Sequence, residues 1–280
     1  MEISVALRGG ENKTDWRVLA IAKGLSYLPH TVTLIGRARP IAYNTDLLVH
    51  TGFGGSTALL SAIESRTPYL IMEGPIFRDM YDMDTTSNFT YNGLQQGGTR
   101  PEAPLESRPH PLIHPEHFEG PTLILAQKTT DHSLRGSDHV KWLKEQLDVY
   151  PEAQLRHHPI MVPPEYNIPI SDALVDVGRT VAFTSTASVD SLLAGCETIC
   201  GHPANEAYGC TDREEWVHKL SWSTFTHAEL ATSDITAWIL TGFEEARRNA
   251  FEGRQEIPRA RVDGGTSMGA YYSEFPYDER

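Results

Sequence analysis

The chain has 280 residues, a length that suits two small α/β domains better than one compact core. Hydrophobic residues make up 40% and charged residues 22%, which excludes a disordered or fibrous protein, and no apolar run is long enough to span a bilayer. The first residues, MEISVAL, contain no signal-peptide pattern, and three cysteines are an odd number for a disulfide framework. We therefore expect a cytoplasmic protein.

The formal net charge of −13 is unevenly distributed along the chain. Residues 1–110 contain 10 Lys and Arg against 11 Asp and Glu, whereas residues 111–280 contain 14 against 26. Because nucleic-acid binding by charge alone needs clustered cations, the chain as a whole is unsuited to it. If a polyanion binds, we expect it on the nearly neutral first part.

In the first half, short apolar strands alternate with helical segments, the pattern of a parallel sheet with crossover helices. The predicted strands are residues 3–7, 31–35, 46–51 and 69–72, and the predicted helices are 15–28 and 58–66. Glycine-rich turns follow two of these strands, at 9–10 and 52–55. This order predicts an incomplete doubly wound domain with glycine-rich loops at the carboxyl ends of its strands.

The second half begins after a region without apolar periodicity, about residues 82–120, which predicts a long loop and a linker. The predicted strands are 122–126, 154–157, 181–184 and 197–200, and the predicted helices are 137–147 and 187–194. A longer helical region is predicted at about 227–249. We predict domains at 1–117 (with a long loop at 82–117) and 118–226, a helix at 227–250 and a tail at 251–280.

A hydroxyl-rich turn between a predicted strand and a predicted helix is the most informative functional feature. The segment TSTAS (184–188) offers hydroxyl groups, backbone N–H groups and the positive end of a helix dipole, which together favour a phosphate. The segment RHHP (156–159) ends a neighbouring predicted strand and would add an imidazole. The alternative is that the serines cap the helix and His158 is a core residue.

Three segments resemble, in order and spacing, the C-terminal domain of GT-B-fold glycosyltransferases. They are LRHHP, VAFTSTASVDSLLAGCETIC and DREEWVHKLSWSTFTHAELATSDITAWIL, with a fainter match of MDTTSNFTYNGL. The resemblance is to enzymes of the capsular-polysaccharide and bacterial sialyltransferase kind, including small phage-encoded relatives, and covers roughly residues 127–240. It implies two Rossmann-like domains facing a cleft, the first holding the acceptor and the second the nucleotide sugar, with 227–250 crossing back to the first.

The resemblance also assigns residues that would hold the donor, which we expect to be a UDP-sugar, with no separate cofactor. In such enzymes a His-Pro motif and a Ser/Thr pair bind the donor phosphates, a carboxylate can bind the ribose, and side chains after the first strand approach the donor. The corresponding residues of this chain are Gln127, Lys128, Arg156, His158, Ser185, Thr186, Ser188 and Glu206. Arg156 as a surface ion-pair member and Glu206 as a solvated loop residue are the structural alternatives.

The catalytic base is the point where the sequence departs from the family pattern. Sialyltransferase-like members carry two acidic residues before a glycine in the first domain, whereas this chain has only Glu73-Gly74. An inverting transfer needs a base within hydrogen-bond reach of the acceptor hydroxyl, so Glu73, Asp79 and Asp15 are the candidates. Asp15 is also well placed to cap its helix, and Asp79 to lie on the surface.

A metal site is the alternative use of Cys196, Cys200, His202 and Cys210, which lie within fifteen positions. Zinc sites usually show two clusters of paired ligands, and this spacing does not match them. Packing in a helix and a strand already explains two of the cysteines. We therefore expect no metal, in agreement with the metal independence that the family resemblance implies.

The acceptor is expected to contact Gly10, Arg37, Arg39 and Gly54 in the first domain. The phage-like resemblance and the charge distribution favour a hydroxymethylated base of phage DNA, which would place the protein in the host cytoplasm. A surface polysaccharide or another glycan is the alternative acceptor. Two other functions stay open, a nucleotide-sugar epimerase and a non-catalytic protein that binds sugar nucleotides. The sequence gives no oligomeric state.

Overall fold

The computed structural model describes residues 1–9, 14–78, 80–129, 131–134, 137–164 and 167–257. The chain divides into two compact units, a first unit of residues 1–110 with 215–257 and a second unit of residues 111–214. Residues 215–226, which the sequence analysis placed with the second domain, thus belong to the first unit. None of the helices within the described ranges has the length and hydrophobicity to cross a membrane.

Six strands form the sheet of the first unit. They are β1 (Glu2–Leu7), β2 (Thr31–Gly36), β3 (Leu47–Thr51), β4 (Tyr69–Glu73), β5 (Thr86–Tyr91) and β10 (Thr224–Thr226). Their order in the sheet is β10-β5-β4-β3-β1-β2. The four strands β2, β1, β3 and β4 are parallel, whereas β5 runs antiparallel to β4 and β10 antiparallel to β5.

The strands β5 and β10 lie where the sequence analysis predicts no strand, and β5 lies inside the predicted loop 82–117. The polar residues of β5 explain why that strand was not predicted, because Ser87 and Thr90 are buried but satisfied by hydrogen bonds. The Ser87 hydroxyl lies 3.1 Å from Nε2 of His227, and the Thr90 hydroxyl donates to the Gly93 carbonyl at 2.6 Å. Apolar periodicity does not report a strand whose interior positions are polar.

Helices cover both faces of this sheet, as the alternation of its buried residues requires. They are α1 (Asp15–Leu25), α2 (Thr57–Glu64), α7 (His227–Leu230), α8 (Ser233–Leu240) and α9 (Phe243–Phe251), while α6 (Arg213–Ser221) precedes β10 in the chain. Val49 packs in the core with α1, α7, α8 and α9, whereas Leu48 packs in the core with α2. The predicted helical region 227–249 is therefore three short helices. Gly24 allows α1 to approach α7 and α8 closely, since a Cβ atom there would overlap Leu230 and Thr236.

Four parallel strands form the sheet of the second unit. They are β6 (Thr122–Leu125), β7 (Gln154–Arg156), β8 (Arg179–Ala182) and β9 (Glu197–Cys200). Their order in the sheet is β7-β6-β8-β9. Its helices are α3 (His139–Val149), α4 (Ile170–Ala173) and α5 (Ala187–Ala194). Ile124 and Val181 lie in a core with α3, whereas Leu123 and Ala182 lie in a core on the opposite face, with α4 and α5.

The two units share a strand order that determines where a ligand would bind. In each unit the first strand has the second strand on one side and the third and fourth on the other. The strand order reverses between β1 and β3 in the first unit and between β6 and β8 in the second. Open α/β sheets bind ligands beside the carboxyl ends of the strands at this point. The prediction of a mixed α/β protein with parallel sheets is confirmed.

Candidate functional site

The carboxyl edge of the second sheet gathers the residues that the sequence analysis assigned to a donor. Lys128 follows β6, His158 follows β7, Ser185 follows β8 and Glu206 lies in the loop after β9. Because all four strands are parallel, these segments lie at the same edge of the sheet. The edge is thus composed of polar loops from four consecutive strands.

Gln127 holds this edge together at the point where the strand order reverses. Its side chain is buried, and its Nε2 donates to Ser133 Oγ at 3.0 Å and to Thr184 Oγ1 at 3.1 Å. Its Oε1 accepts the backbone N–H of Thr184 at 2.7 Å. The amide therefore joins the ends of β6 and β8 to the 3-10 turn His132–Leu134. These contacts give Gln127 a positioning role at the edge.

His139, at the start of α3, supports the same strand end. Its Nε2 accepts the Gln127 backbone N–H at 2.8 Å, so the neutral ring carries its proton on Nδ1. Burial lowers the pKa of His139 to about 4, which keeps the ring neutral near pH 7. Within the ranges that the structure describes, Nδ1 has no hydrogen-bond partner although it is buried.

The turn from β8 into α5 contains the predicted phosphate-binding hydroxyls. Ser185 and Thr186 are half-buried, and the Ser185 hydroxyl accepts the Ala187 N–H at 3.3 Å. Ser188 is fully buried, and its Oγ lies 2.7 Å from both the Ser185 carbonyl and Asn205 Oδ1. Solvent therefore reaches Ser185 and Thr186, whereas Ser188 ties α5 to the loop after β9.

The remaining donor candidates differ in how the protein holds them. The Arg156 guanidinium donates to the carbonyls of His157 at 3.2 Å and Ile168 at 2.7 Å, and burial lowers its pKa. His158 accepts the Ile160 N–H on Nδ1 at 3.2 Å and caps the 3-10 turn Pro159–Met161. Lys128 is half-buried. Glu206, expected to be solvated if it had no function, is only 2% exposed.

The carboxyl edge of the first sheet is held by Asp15. The carboxylate of this buried residue, the first of α1, accepts the backbone N–H groups of Arg8 at 2.9 Å and Gly9 at 3.0 Å. Both carboxylate oxygens are thus used to fix the turn that follows β1. These contacts match the structural alternative for Asp15, a carboxylate that secures the start of its helix.

Charged side chains converge on the glycine-rich loop 52–55 that follows β3. A Cβ atom on Gly52 would lie 3.7 Å from Arg8 Nη2 and 3.9 Å from Glu73 Oε1, and one on Gly54 would lie 3.4 Å from Arg37 Nη2. The structure therefore brings together three of the predicted residues, Glu73, Arg37 and Gly54. Arg8 lies beside the same loop. Gly52 has a φ of +65°, which favours glycine.

His50 and Ser56 form a buried pair beneath this loop. His50 Nδ1 lies 2.9 Å from the Gly52 carbonyl, and Nε2 lies 2.7 Å from Ser56 Oγ. Both contacts are satisfied when Nδ1–H donates and Nε2 accepts the Ser56 hydroxyl proton. Ser56 Oγ also accepts the Leu59 N–H at 3.2 Å, as the N-cap of α2. Burial lowers the pKa of His50 to about 4, and the nearby Arg37 and Arg8 also lower it.

The three remaining predicted residues of the first domain are Arg39, Asp79 and Gly10. Arg39 is exposed on the turn after β2. Asp79, a candidate base, and Gly10, an expected acceptor contact, lie outside the described residues.

The cysteines and histidines form no metal centre within the described ranges, where no three His, Cys, Asp or Glu side chains are grouped closely enough to hold an ion. Cys196 is buried and donates to the Val177 carbonyl, and burial raises the pKa of its thiol. Burial also raises the pKa of Cys200 to about 12. Protonated thiols are poor metal ligands.

Sequence reasoning missed several residues of both edges: His50, Ser133, His139 and Asn205. His50 is the only titratable residue of the apolar strand LLVHT, which is a usable signal. The other three have no local sequence signal, because long-range packing brings them to the edges.

No protein-family profile matches the sequence, and no curated protein is similar to it. Among solved structures, the β-Kdo 2,7-transferase of Thermosulfurimonas dismutans KpsC is 12% identical, with a TM-score of 0.50 over 85% of this chain and 99% of that chain. The β-Kdo 2,4-transferase of KpsC from the same organism is 16% identical, with a TM-score of 0.43 over 71% and 79%. At these identities the likeness concerns the fold alone.

The neutral state of His50 predicts a pH dependence of stability. Since its pKa is about 4 in the native state and about 6.5 in an unfolded chain, the unfolded state binds a proton first as the pH falls. The free energy of unfolding should therefore decrease from about pH 6.5 to pH 4, with His50 contributing roughly 3 kcal/mol of the loss.

Urea unfolding of His50→Gln should show a shallower decrease of the unfolding free energy with falling pH than the parent. His114→Gln, at an exposed position, should keep the parent slope. Equal slopes for His50→Gln and the parent would contradict this interpretation.

Proposed function

We propose that the protein is a glycosyltransferase of the GT-B type, which transfers a sugar from a nucleotide sugar to a hydroxyl group. The second unit would hold the donor and the first unit the acceptor. The GT-B arrangement, with two such domains facing a cleft, is part of this proposal. The proposal also includes metal-independent chemistry, in which the nucleotide sugar is a substrate and no cofactor takes part.

The observation that supports this function best is the polar carboxyl edge that each unit carries where its strand order reverses. A nucleotide-sugar transferase needs two binding regions, one for phosphates and one for a hydroxyl acceptor with its base. The second unit offers hydroxyls at Ser185 and Thr186, and the first offers the carboxylate of Glu73 among arginines. The similar fold of a protein named β-Kdo 2,7-transferase agrees with this division.

In the proposed donor site, Ser185, Thr186 and His158 contact the phosphates, and Lys128 adds a positive charge. Gln127 and Ser188 position these groups, because their own polar atoms are bonded within the protein. Arg156 and Glu206 complete the expected donor set, with Glu206 at the ribose. Preformed donors of this kind stabilise charge on a leaving phosphate without reorganising during the reaction.

The transfer breaks the bond between the anomeric carbon and the phosphate oxygen and forms a bond from that carbon to the acceptor oxygen. The leaving phosphate keeps the electron pair of the broken bond, and the acceptor hydroxyl loses its proton to a base. We assign the base to Glu73, which is the last residue of β4 and lies beside Gly52. Asp15 is a weaker candidate because both of its carboxylate oxygens accept backbone N–H groups.

We propose a glycan hydroxyl as the acceptor. The solved structure matched with a TM-score of 0.50 is named as a Kdo transferase, and this favours a sugar over a nucleobase. The phage relation rests on the sequence resemblance alone, and the hydroxymethylated DNA acceptor rests on that resemblance and on the charge distribution of the sequence. Transfer of radiolabelled sugar to modified DNA, but to no oligosaccharide, would reverse this choice and leave the glycosyltransferase assignment intact.

The donor assignment predicts that removing the accessible hydroxyls weakens nucleotide-sugar binding. In a panel of UDP-, GDP-, CMP- and TDP-sugars, at least one should raise the Tm of the parent protein. Ser185→Ala/Thr186→Val should bind that sugar nucleotide about tenfold or more weakly, because hydrogen bonds to a charged phosphate are lost. Ser171→Ala, which removes an exposed hydroxyl of α4, should bind like the parent. Unchanged affinity in the double variant would refute the site.

The base assignment predicts that Glu73→Gln loses catalysis and keeps donor binding. The amide is nearly isosteric but accepts no proton, so kcat should fall by about a hundredfold or more. The Tm increase caused by the donor should stay as in the parent. Glu64→Gln, at an exposed position of α2, is the matched control and should keep full activity. Full activity of Glu73→Gln would exclude Glu73 as the base, and sugar conversion without any acceptor would indicate an epimerase instead.

A further inference from the structure

The guanidinium groups of two arginines lie at the carboxyl edge of the first sheet. Arg8 follows β1, and Arg37 follows β2 and lies against Gly54. Among the residues that the structure describes, neither guanidinium donates a hydrogen bond or forms an ion pair. Arg8 is exposed, whereas Arg37 is half-buried, so leaving the five N–H donors of Arg37 unused is costly.

The local charges add to this cost, because the two arginines repel each other. Burial lowers the pKa of Arg37, and the charge of Arg8 lowers it further, with Asp15 acting in the opposite direction. The Asp15 carboxylate is already occupied by two backbone N–H groups. Burial lowers the pKa of Arg17, and Glu73 raises it. Among the residues that the structure describes, neither Arg8 nor Arg37 forms an ion pair with a carboxylate.

The loop beside this pair offers further donors and the space to use them. Within the described chain, the backbone N–H groups of Gly54 and Gly55 donate no hydrogen bond. Gly55 has open space where a Cβ atom would be, and a Cβ atom on Gly54 would lie only 3.4 Å from Arg37 Nη2. Glycine at position 54 thus leaves room for a ligand atom between the loop and the guanidinium.

We infer that Arg8, Arg37 and the loop 52–55 bind an oxyanion, a phosphate or carboxylate group carried by the acceptor. This inference rests on the proposed function only where it names the acceptor as the molecule that carries the oxyanion. Guanidinium groups recognise both oxyanions through paired N–H donors. An anion between the two arginines would relieve their repulsion. Glu73, which like Arg8 lies beside Gly52, would face the hydroxyl to be glycosylated.

Inorganic phosphate tests the binding site without any donor or acceptor. Calorimetric titration should show binding to the parent protein, and about ten- to hundredfold weaker binding to Arg8→Gln/Arg37→Gln. Arg248→Gln, an exposed arginine of α9 in the same unit, controls for general effects of charge and should bind like the parent. The single variant Arg8→Gln, at an exposed position, provides the same test if the double variant is unstable. Equal phosphate binding by the parent and both arginine variants would overturn the site, as would no binding to the parent.

The source of the anion is tested separately, with acceptors that differ only in charge. The kcat/KM would be measured for neutral, carboxylated and phosphorylated forms of one acceptor sugar. The kcat/KM of one of the two anionic forms should exceed that of the neutral form at least about tenfold. Arg37→Gln should abolish that preference, so that the anionic and neutral forms give similar kcat/KM values. Equal use of all three forms would overturn the acceptor as the source. Because phosphate titration needs no turnover, failure of the glycosyltransferase proposal would leave its result interpretable.

Discussion

The parallel direction of four neighbouring strands in each sheet is the constraint on which both candidate sites depend. Parallel strands place all their carboxyl ends at one edge, so every loop that follows a strand contributes to the same surface. In the second unit this edge collects loops after β6, β7, β8 and β9, and in the first unit those after β1, β2, β3 and β4. Residues far apart in sequence, such as Arg8 and Glu73, meet beside Gly52 for this reason.

The two edges use different physical means to fix their polar groups. The second unit uses neutral buried hydrogen bonds, with Gln127 joining two strand ends and Ser188 tying α5 to Asn205. The first unit uses charge, with Asp15 fixing the turn after β1 and leaving the side chain of Arg8 outside that contact. His50 supports the glycine loop as a neutral ring because burial and the arginines both disfavour its protonated form. A chain with a net charge of −13 thus concentrates cations at one strand edge.

Sequence reasoning found the features that local patterns encode. The apolar strands of both parallel sheets and the loop 52–55 followed from hydrophobicity and glycine spacing. It missed β5, because Ser87 and Thr90 are buried through hydrogen bonds that no periodicity records. The hydrogen-bond partners of Gln127 could not be predicted either, since Thr184 is fifty-seven positions away and only the sheet order brings it close.

Hydrogen–deuterium exchange of the full chain tests the central claim that the two edges are separate ligand sites of one enzyme. The protein would be measured free, with the nucleotide sugar of the panel that raises Tm most, and with inorganic phosphate. The nucleotide sugar should slow exchange in 126–129 and 183–189, and phosphate should slow exchange in 52–59. Nucleotide-sugar protection confined to the first unit, or absent from both edges, would contradict the account.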